Sequence, residues 1–232
     1  MFFDLLFKGL FLSTIKSSMK AKLIFLILVN SVFYSNAQID KKAQSILNTV
    51  SVKYKTLKSI KAIFSIIIEN EQDKSKDVQT GTLYLKGSKY KLQIAGQEII
   101  SDGVTRWTYV KDANEIQVDN QKNNNNSISP TTIFTIYEKG WQSKYSGEVK
   151  VNKVTYQQIE LVPTDGNSKN VFKVKLTINK ADKTISSAKI YDKNGAIQTI
   201  SVEKFIPDGG NIESLYVFNK NNYPGSEIVD LR

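Results

Sequence analysis

The 232-residue sequence contains neither histidine nor cysteine. Without histidine it lacks the usual general base, and both Ser-His and Cys-His catalytic pairs are excluded. Without cysteine it has no disulfides, which a domain of this size does not need because its hydrophobic core can be sufficient. Glu98 and Asp102 are close in sequence, but Asp102 precedes a glycine and is expected to serve a turn. We therefore expect no enzyme, no metal and no cofactor.

A basic and then apolar stretch near the N-terminus predicts a cleaved secretory signal. Two lysines lead into the apolar run at 23–29, and the small residues Ser35 and Ala37 predict cleavage before Gln38. The apolar run is shorter than the ~20 residues that a membrane-spanning helix needs. The mature protein is then expected in the periplasm. A longer, uncleaved anchor is the alternative.

Residues 1–18 do not fit such a signal, which indicates that translation starts at Met19. The predicted mature chain, 38–232, is expected to form a single domain. It keeps 28 Lys and Arg against 21 Asp and Glu, a net charge of +7. Basic secreted chains can favour anionic lipid surfaces or nucleic acid. Because these lysines are spread along predicted strands and turns, we expect no nucleic-acid binding and interpret them as a solvated outer face.

An amphipathic helix is predicted over residues 40–58. Apolar residues recur there at spacings of three and four: Ala43, Ile46, Leu47, Val50, Tyr54 and Leu57. Asp40 lies near the N-terminus of this helix, where a carboxylate is favourable. The apolar side of the helix must pack on the strands that follow.

Alternating apolar and polar residues predict an antiparallel sheet. The first strand, 60–69, is apolar at its even positions and also at Ile63 and Ile67, which indicates cover on both faces or a cavity on one. Further strands are predicted at 78–86, 89–94, 97–101, 104–109, 115–119, 154–162, 171–178, 184–191 and 196–206, with the C-terminal segment closing an edge.

Trp107 and Tyr109 end a meander whose turns are Ala95-Gly96 and Asp102-Gly103. The two rings are two positions apart in a strand and therefore share one face. Large rings on one face of an open meander predict a surface that holds something apolar. An ordinary sheet packed on its own core is the alternative.

A short helix is predicted after the polar loop 120–127. Ser129 fits its N-cap, Pro130 its first position and Gly140 its end. Ile133, Phe134 and Tyr137 form its apolar side. A helix of this kind after a flexible loop predicts a lid.

Taken in order, these segments resemble the periplasmic outer-membrane lipoprotein carrier family (LolA type). The most specific piece is the pattern Ser101-Asp-Gly-x-x-x-Trp107-x-Tyr109. Weaker pieces are an amphipathic helix before the strand that carries Phe64, the run 81–86 followed by Tyr90, and the runs 130–134, 161–163 and 229–232.

The resemblance implies a mainly β fold with a helical lid (α+β). In that fold an unclosed antiparallel β-barrel, or half-barrel, has helices covering its concave apolar face. The implied function is a monomeric periplasmic carrier that shields the acyl chains of lipoproteins and ferries them from the inner to the outer membrane. The implied partners are acylated lipoproteins, an inner-membrane lipoprotein-releasing transporter complex as donor and an outer-membrane acceptor.

On this interpretation nine residues are expected to bind lipid. The predicted walls are Phe64, Ile66, Tyr90, Leu92, Trp107 and Tyr109, and the predicted lid residues are Ile133, Phe134 and Tyr137. A packed core position is the alternative for each of them. Many family members carry a lid-latching Arg where this chain has Gly87, which predicts a lid that opens readily. Alternative functions are carriage of a glycolipid or pigment precursor, and a lipoprotein-sensing envelope-stress domain.

Overall fold

The structure, a computed structural model, describes residues 40–70, 74–121, 128–166 and 170–232. The predicted signal at 1–37 and most of the polar loop, 122–127, lie outside the described residues. None of the described helices is both long enough and apolar enough to cross a membrane.

The N-terminal helix α1 spans Lys41–Thr56, as the spacing of its apolar residues predicts. Asp40 is its N-cap, and the carboxylate accepts hydrogen bonds from the backbone N–H groups of Lys42 and Ala43 at 3.0 Å. Lys53 and Lys55 lie in the last turn, where positive charge favours the helix dipole. The buried side of α1 carries Ala43, Leu47 and Val50.

All the strands of the described chain belong to one sheet of twelve. They are β1 (Ile60–Asn70), β2 (Ser75–Lys86), β3 (Lys89–Ile94), β4 (Gln97–Ser101), β5 (Thr105–Val110), β6 (Glu115–Asn120), β7 (Trp141–Val151), β8 (Val154–Pro163), β9 (Val171–Asn179), β10 (Thr184–Asp192), β11 (Ala196–Pro207) and β12 (Glu227–Asp230). The spatial order is β12-β6-β5-β4-β3-β2-β1-β11-β10-β9-β8-β7, so the sheet is open, with β12 and β7 at its edges. The predicted fold class, an unclosed half-barrel with a covering helix, is confirmed.

Neighbouring strands run antiparallel except at one edge, where β12 runs parallel to β6. This short strand confirms the prediction that the end of the chain closes an edge of the sheet. β1 and β11 are far apart in sequence but pair along their length, which joins the two halves of the sheet.

We call the face of the sheet that α1 covers the inner face, and the opposite one the outer face. The even positions of β1 from Ile60 to Ile66 are buried on the inner face, with Phe64 only 2% exposed. Ile63 points to the outer face and is 37% exposed. The interpretation that β1 is covered on both faces or borders a cavity is therefore wrong at this end, because its odd side faces solvent.

At β5 and β6 the buried apolar side chains lie on the outer face of the sheet. Leu92 of β3 is opposite Ile99 of β4, which is opposite Thr108 of β5, so Thr108 is on the inner face. Trp107 therefore points outward, next to the buried Val118 of β6. Residues 213–226, here the C-terminal strap, pack against these outer residues.

The strap contains two 3₁₀ helices, Glu213–Tyr216 and Lys220–Asn222. The side chain of Tyr216 is 1% exposed, and its hydroxyl donates to the carbonyl of Gly210 at 2.6 Å. The strap thus forms a second layer on one half of the outer face, which the sequence pattern did not predict.

The prediction that the lid is a regular helix is wrong. Residues 130–135 form successive turns, and only Ile136–Glu138 is helical, as a 3₁₀ turn. The Thr132 side chain bonds to the local backbone, since its hydroxyl accepts from the Ser129 N–H at 3.0 Å and donates to the Ser129 carbonyl at 3.2 Å. Gly140 does end the segment, with a left-handed φ of +78°. We call residues 129–139 the lid segment.

Candidate functional site

Three aromatic rings from three different elements meet over the inner face. Phe134 of the lid segment lies 5.3 Å, edge-on, from Tyr54 of α1 and 6.0 Å from Phe205 of β11. The rings of Tyr54 and Phe205 are 5.8 Å apart. The cover over the inner face is therefore built by α1 and the lid segment together, and each contacts the sheet through an aromatic side chain.

The helix α1 is attached to the sheet by a small number of polar contacts. The hydroxyl oxygen of Tyr54 accepts a hydrogen bond from the backbone N–H of Ile185 in β10 at 2.7 Å. Burial raises the pKa of Tyr54 well above its usual range, although the hydrogen bond from Ile185 acts in the opposite direction. At the other end of the helix, the Asp40 carboxylate accepts from the backbone N–H of Tyr145 in β7.

The lid segment packs on the inner face and also contacts α1. Ile133 and Phe134 are 1% and 2% exposed. The Ser51 hydroxyl of α1 donates to the Glu138 carboxylate at 3.1 Å. The ion pair between Lys55 and Glu138 is long, at 3.9 Å, and exposed, so it contributes little. Apolar contact therefore does most to hold the lid segment in place.

The apolar side chains of α1, the lid segment and the inner face pack into one hydrophobic cluster, which we call the inner-face cluster. It contains seven of the nine predicted lipid-binding residues. Phe64, Ile66, Tyr90, Leu92, Ile133 and Phe134 are buried in it, and Tyr137 packs against it. Burial raises the pKa of Tyr137, and the neighbouring Glu138 charge adds to this effect.

Trp107 and Tyr109 do not belong to that cluster, and the prediction that they line the same apolar space is wrong. They share a face, as alternation predicts, but it is the outer one. The Trp107 ring stacks on Phe218 of the strap at 5.3 Å, and the Tyr109 ring lies 4.8 Å from Tyr223. The two predicted wall residues hold the strap to the sheet instead.

Several residues of the inner-face cluster were not among the predicted site residues. They are Leu47, Val50 and Tyr54 of α1, Trp141 and Tyr145 of β7, and Val174, Leu176, Ile178 and Ile200 of the second half of the sheet. The helical spacing of α1 and the alternation of β9 carried the signal for most of them. The signal for β7 was weaker, since its two aromatic residues, Trp141 and Tyr145, stand among polar ones and its two valines are exposed.

The inner face becomes polar at its β5–β6 end. Arg106 of β5 forms an ion pair with Asp119 of β6, and the Tyr90 hydroxyl donates to the Gln121 side chain at 3.3 Å. Burial raises the pKa of Tyr90, while the nearby Arg106 charge opposes that effect. The apolar part of the inner face is thus bounded by a polar wall on one side.

Gly87 is exposed in the turn between β2 and β3, with a φ of +58°. Apart from its chain neighbours, no described residue lies within 4 Å of where a Cβ would be, so the first atom of a side chain at this position has open space around it. The described residues also contain no group of three or more acidic side chains that could hold a metal ion. The arrangement is thus an apolar sheet face buried under two elements, α1 and the lid segment, that are not strands of the sheet.

Comparison with known proteins gives a family match over most of this structure. The model of the outer membrane lipoprotein carrier protein LolA matches residues 55–208. No curated protein sequence matches the chain.

The fold is also similar to that of solved structures at low sequence identity. An uncharacterized conserved protein from Thermus thermophilus is 12% identical, with a TM-score of 0.52, over 82% of this chain and 99% of that one. A LolA superfamily protein from Nitrosomonas europaea is 14% identical, with a TM-score of 0.42, over 76% and 97% of the two chains. The lipoprotein LppX from Mycobacterium tuberculosis is 12% identical, with a TM-score of 0.45, over 72% and 96%.

Proposed function

The chain belongs to the LolA family of outer membrane lipoprotein carriers, and we propose that it carries acylated lipoproteins through the periplasm. In this proposal the acyl chains lie on the inner face, between the sheet and the cover made by α1 and the lid segment. An inner-membrane lipoprotein-releasing transporter complex supplies the cargo, and an outer-membrane acceptor receives it.

The observation that supports this proposal is the construction of the cover. Neither α1 nor the lid segment adds a strand to the sheet, yet together they bury its apolar inner face. They can therefore move without breaking the hydrogen bonds between strands. An acyl chain that replaces Ile133 and Phe134 on this face keeps the apolar surface out of water.

The energetic need for such a carrier is large. Exposing an acyl chain to water costs ~0.8 kcal/mol per CH₂. A chain of about fifteen carbons then costs on the order of 12 kcal/mol, which prevents free diffusion across an aqueous compartment. A cover that closes over the chain removes this penalty, and it needs no catalytic group. We propose accordingly that the protein binds its cargo without chemically changing it.

The proposal is tested by identifying what the protein binds in its host. Mass spectrometry of the protein purified from the periplasm should find bound lipoprotein, and a synthetic acylated peptide should bind where the same peptide without acyl chains does not. A glycolipid or pigment precursor in place of lipoprotein would contradict the assigned cargo. Equal binding of the acylated and bare peptides would contradict acyl recognition, and hydrolysis of a lipid ester would contradict carriage without chemistry.

A further inference from the structure

The described residues cover the outer face of the sheet on one half only. The C-terminal strap packs on the outer side of β3 to β6, where Trp107 and Tyr109 hold it. On the outer side of β8 to β10 apolar side chains remain in contact with solvent, with Phe172 48% and Val162 47% exposed. This half of the outer face, which the strap leaves bare, also carries a concentration of positive charge.

Lysines that are spread along the sequence come together on this half. Lys175 of β9 is directly opposite Lys189 of β10, and Lys173 is opposite Tyr191. The ammonium groups of Lys173 and Lys189 lie 4.4 Å and 5.7 Å from the centre of the Tyr191 ring. We call Val162, Phe172, Lys173, Lys175, Lys189 and Tyr191 the outer patch.

The positive charge of the outer patch is poorly compensated. In the described part of the chain no carboxylate lies within ion-pair distance of its three lysines. Glu160 is opposite Lys175 across the sheet, and Lys144 of β7 is opposite Glu160 on its other side. Glu160 therefore has a lysine opposite it on each side, so it compensates the charge of Lys175 only in part and the surface keeps a positive potential.

The backbone directs an aromatic ring out of this surface. The pairing between β9 and β10 shifts by one residue between Val171 and Lys173. Val171 is opposite Asp192, Lys173 is opposite Tyr191, and Phe172 has no opposite residue in β10. This is a β-bulge, which re-aims the side chain of the extra residue. The Phe172 ring lies 6.0 Å from Tyr191 and remains exposed beside the lysines.

We propose that the outer patch docks the protein on the surface of a bilayer that contains anionic phospholipid. Lysines next to a membrane are attracted by the negative headgroups, and an aromatic ring between them enters the interfacial layer. The long lysine stems can cover apolar surface while their ammonium groups reach the phosphates. The patch lies on the face opposite the proposed cargo site, so docking leaves α1 and the lid segment free to move.

Co-sedimentation with vesicles tests this proposal. The full mature protein should bind vesicles of equal parts phosphatidylglycerol and phosphatidylcholine, bind vesicles of pure phosphatidylcholine much more weakly, and be released from the former by salt. Each lysine near an anionic surface contributes about a fivefold gain in binding. The variant Lys173→Glu/Lys189→Glu should then bind at least about 25-fold more weakly, and Phe172→Ala several-fold more weakly.

A charge-matched control separates the patch from the overall basic charge. Lys111 and Lys150 are exposed and lie outside the patch, so Lys111→Glu/Lys150→Glu makes the same change in net charge. The control should retain most of the vesicle binding, and both double variants should still bind the acylated peptide. Equal losses in the two variants, or no preference of the wild type for anionic vesicles, would overturn the proposal whether or not the protein carries lipoproteins.

Discussion

Asp40 joins the helix α1 to the edge strand β7. Its Oδ2 atom accepts a hydrogen bond from the backbone N–H of Tyr145 in β7 at 2.8 Å, while Oδ1 caps α1. The two residues are 105 positions apart. One carboxylate therefore fixes both the start of the helix and its position against the edge strand.

Removing this carboxylate should loosen α1 and the middle of β7 together. The hydrogen bonds from Ala43 and Tyr145 hold the pKa of Asp40 below its usual value of 3.8. Because the folded pKa is lower than the unfolded one, the contribution of Asp40 to stability is present above pH 3.8 and is lost as the pH falls through the folded value.

Hydrogen exchange should show this coupling directly. Asp40→Ala should speed amide exchange in α1 and at Tyr145, and Asp40→Asn should do so less, because Asn also caps helices well. Both variants should lose the part of the pH dependence of unfolding that Asp40 causes. Faster exchange in α1 with no change at Tyr145 would contradict the shared role.

The two tryptophans should report different events. Trp141 packs against the inner-face cluster, and Trp107 stacks under the strap. In a Trp107→Phe background, the remaining Trp141 should change its fluorescence when an acylated peptide binds. In a Trp141→Phe background, Trp107 should change little. If Trp107 responded and Trp141 did not, cargo would bind at the strap and not on the inner face.

Tyr54→Phe should make the cover easier to open. The substitution removes the acceptor for the buried N–H of Ile185, which costs about 1–3 kcal/mol when that group is left without a partner. Amide exchange in α1 should accelerate, and uptake of acylated peptide in stopped flow should become faster.

Tyr145→Phe is the matched control for this change. It also removes one tyrosine hydroxyl from the cover region but keeps the backbone contact with Asp40. Its exchange and uptake rates should stay close to those of the wild type. Unchanged uptake in Tyr54→Phe, despite faster exchange in α1, would show that the lid segment and not the helix limits entry.

The strap should loosen in acid because of Glu98. Burial alone raises the pKa of this carboxyl, but hydrogen bonds donated by Tyr223, Lys91 and Gln93 outweigh burial, and the pKa lies below its usual value of 4.5. Glu98 therefore stabilises the strap above pH 4.5, and the stabilisation is lost as the pH falls through the folded pKa.

Trp107 emission in the Trp141→Phe background measures this release. It should shift to the red as the pH falls below 4.5, since loss of the strap exposes the ring. Glu98→Gln should show a red shift already at neutral pH. Glu213→Gln is the control, because this exposed strap residue forms only surface ion pairs and should behave like the wild type. An acid shift that persists unchanged in Glu98→Gln would assign the release to another group.

Local patterns predicted most of the secondary structure. The bounds of β3 and β4 agree with the sequence, and those of β8 to β11 differ by single residues, because turn residues and alternation mark them. β7 was missed because its side chains alternate between half-buried and exposed, as an edge strand allows. The lid helix was predicted from its end signals and three apolar positions, but the Thr132 side chain bonds to the backbone N–H and carbonyl of Ser129 instead.

The alternation of side chains along the strands predicted only part of the site. Alternation shows that Trp107 and Tyr109 share a face, but which face is buried depends on what packs there. That cover is the strap, more than a hundred residues later in the chain. The outer patch was missed for a similar reason, because Lys173 and Lys189 become neighbours only through strand pairing.

The change of buried face between β4 and β5 divides the buried apolar side chains into two packing units on one hydrogen-bonded sheet. The larger hydrophobic cluster includes α1 and the lid segment, and the smaller one joins β5 and β6 to the strap. Local opening of a protein follows such units. Displacing the inner cover exposes only the first cluster, so the strands under the strap keep their own buried contacts and remain a fixed frame for the cover to close against.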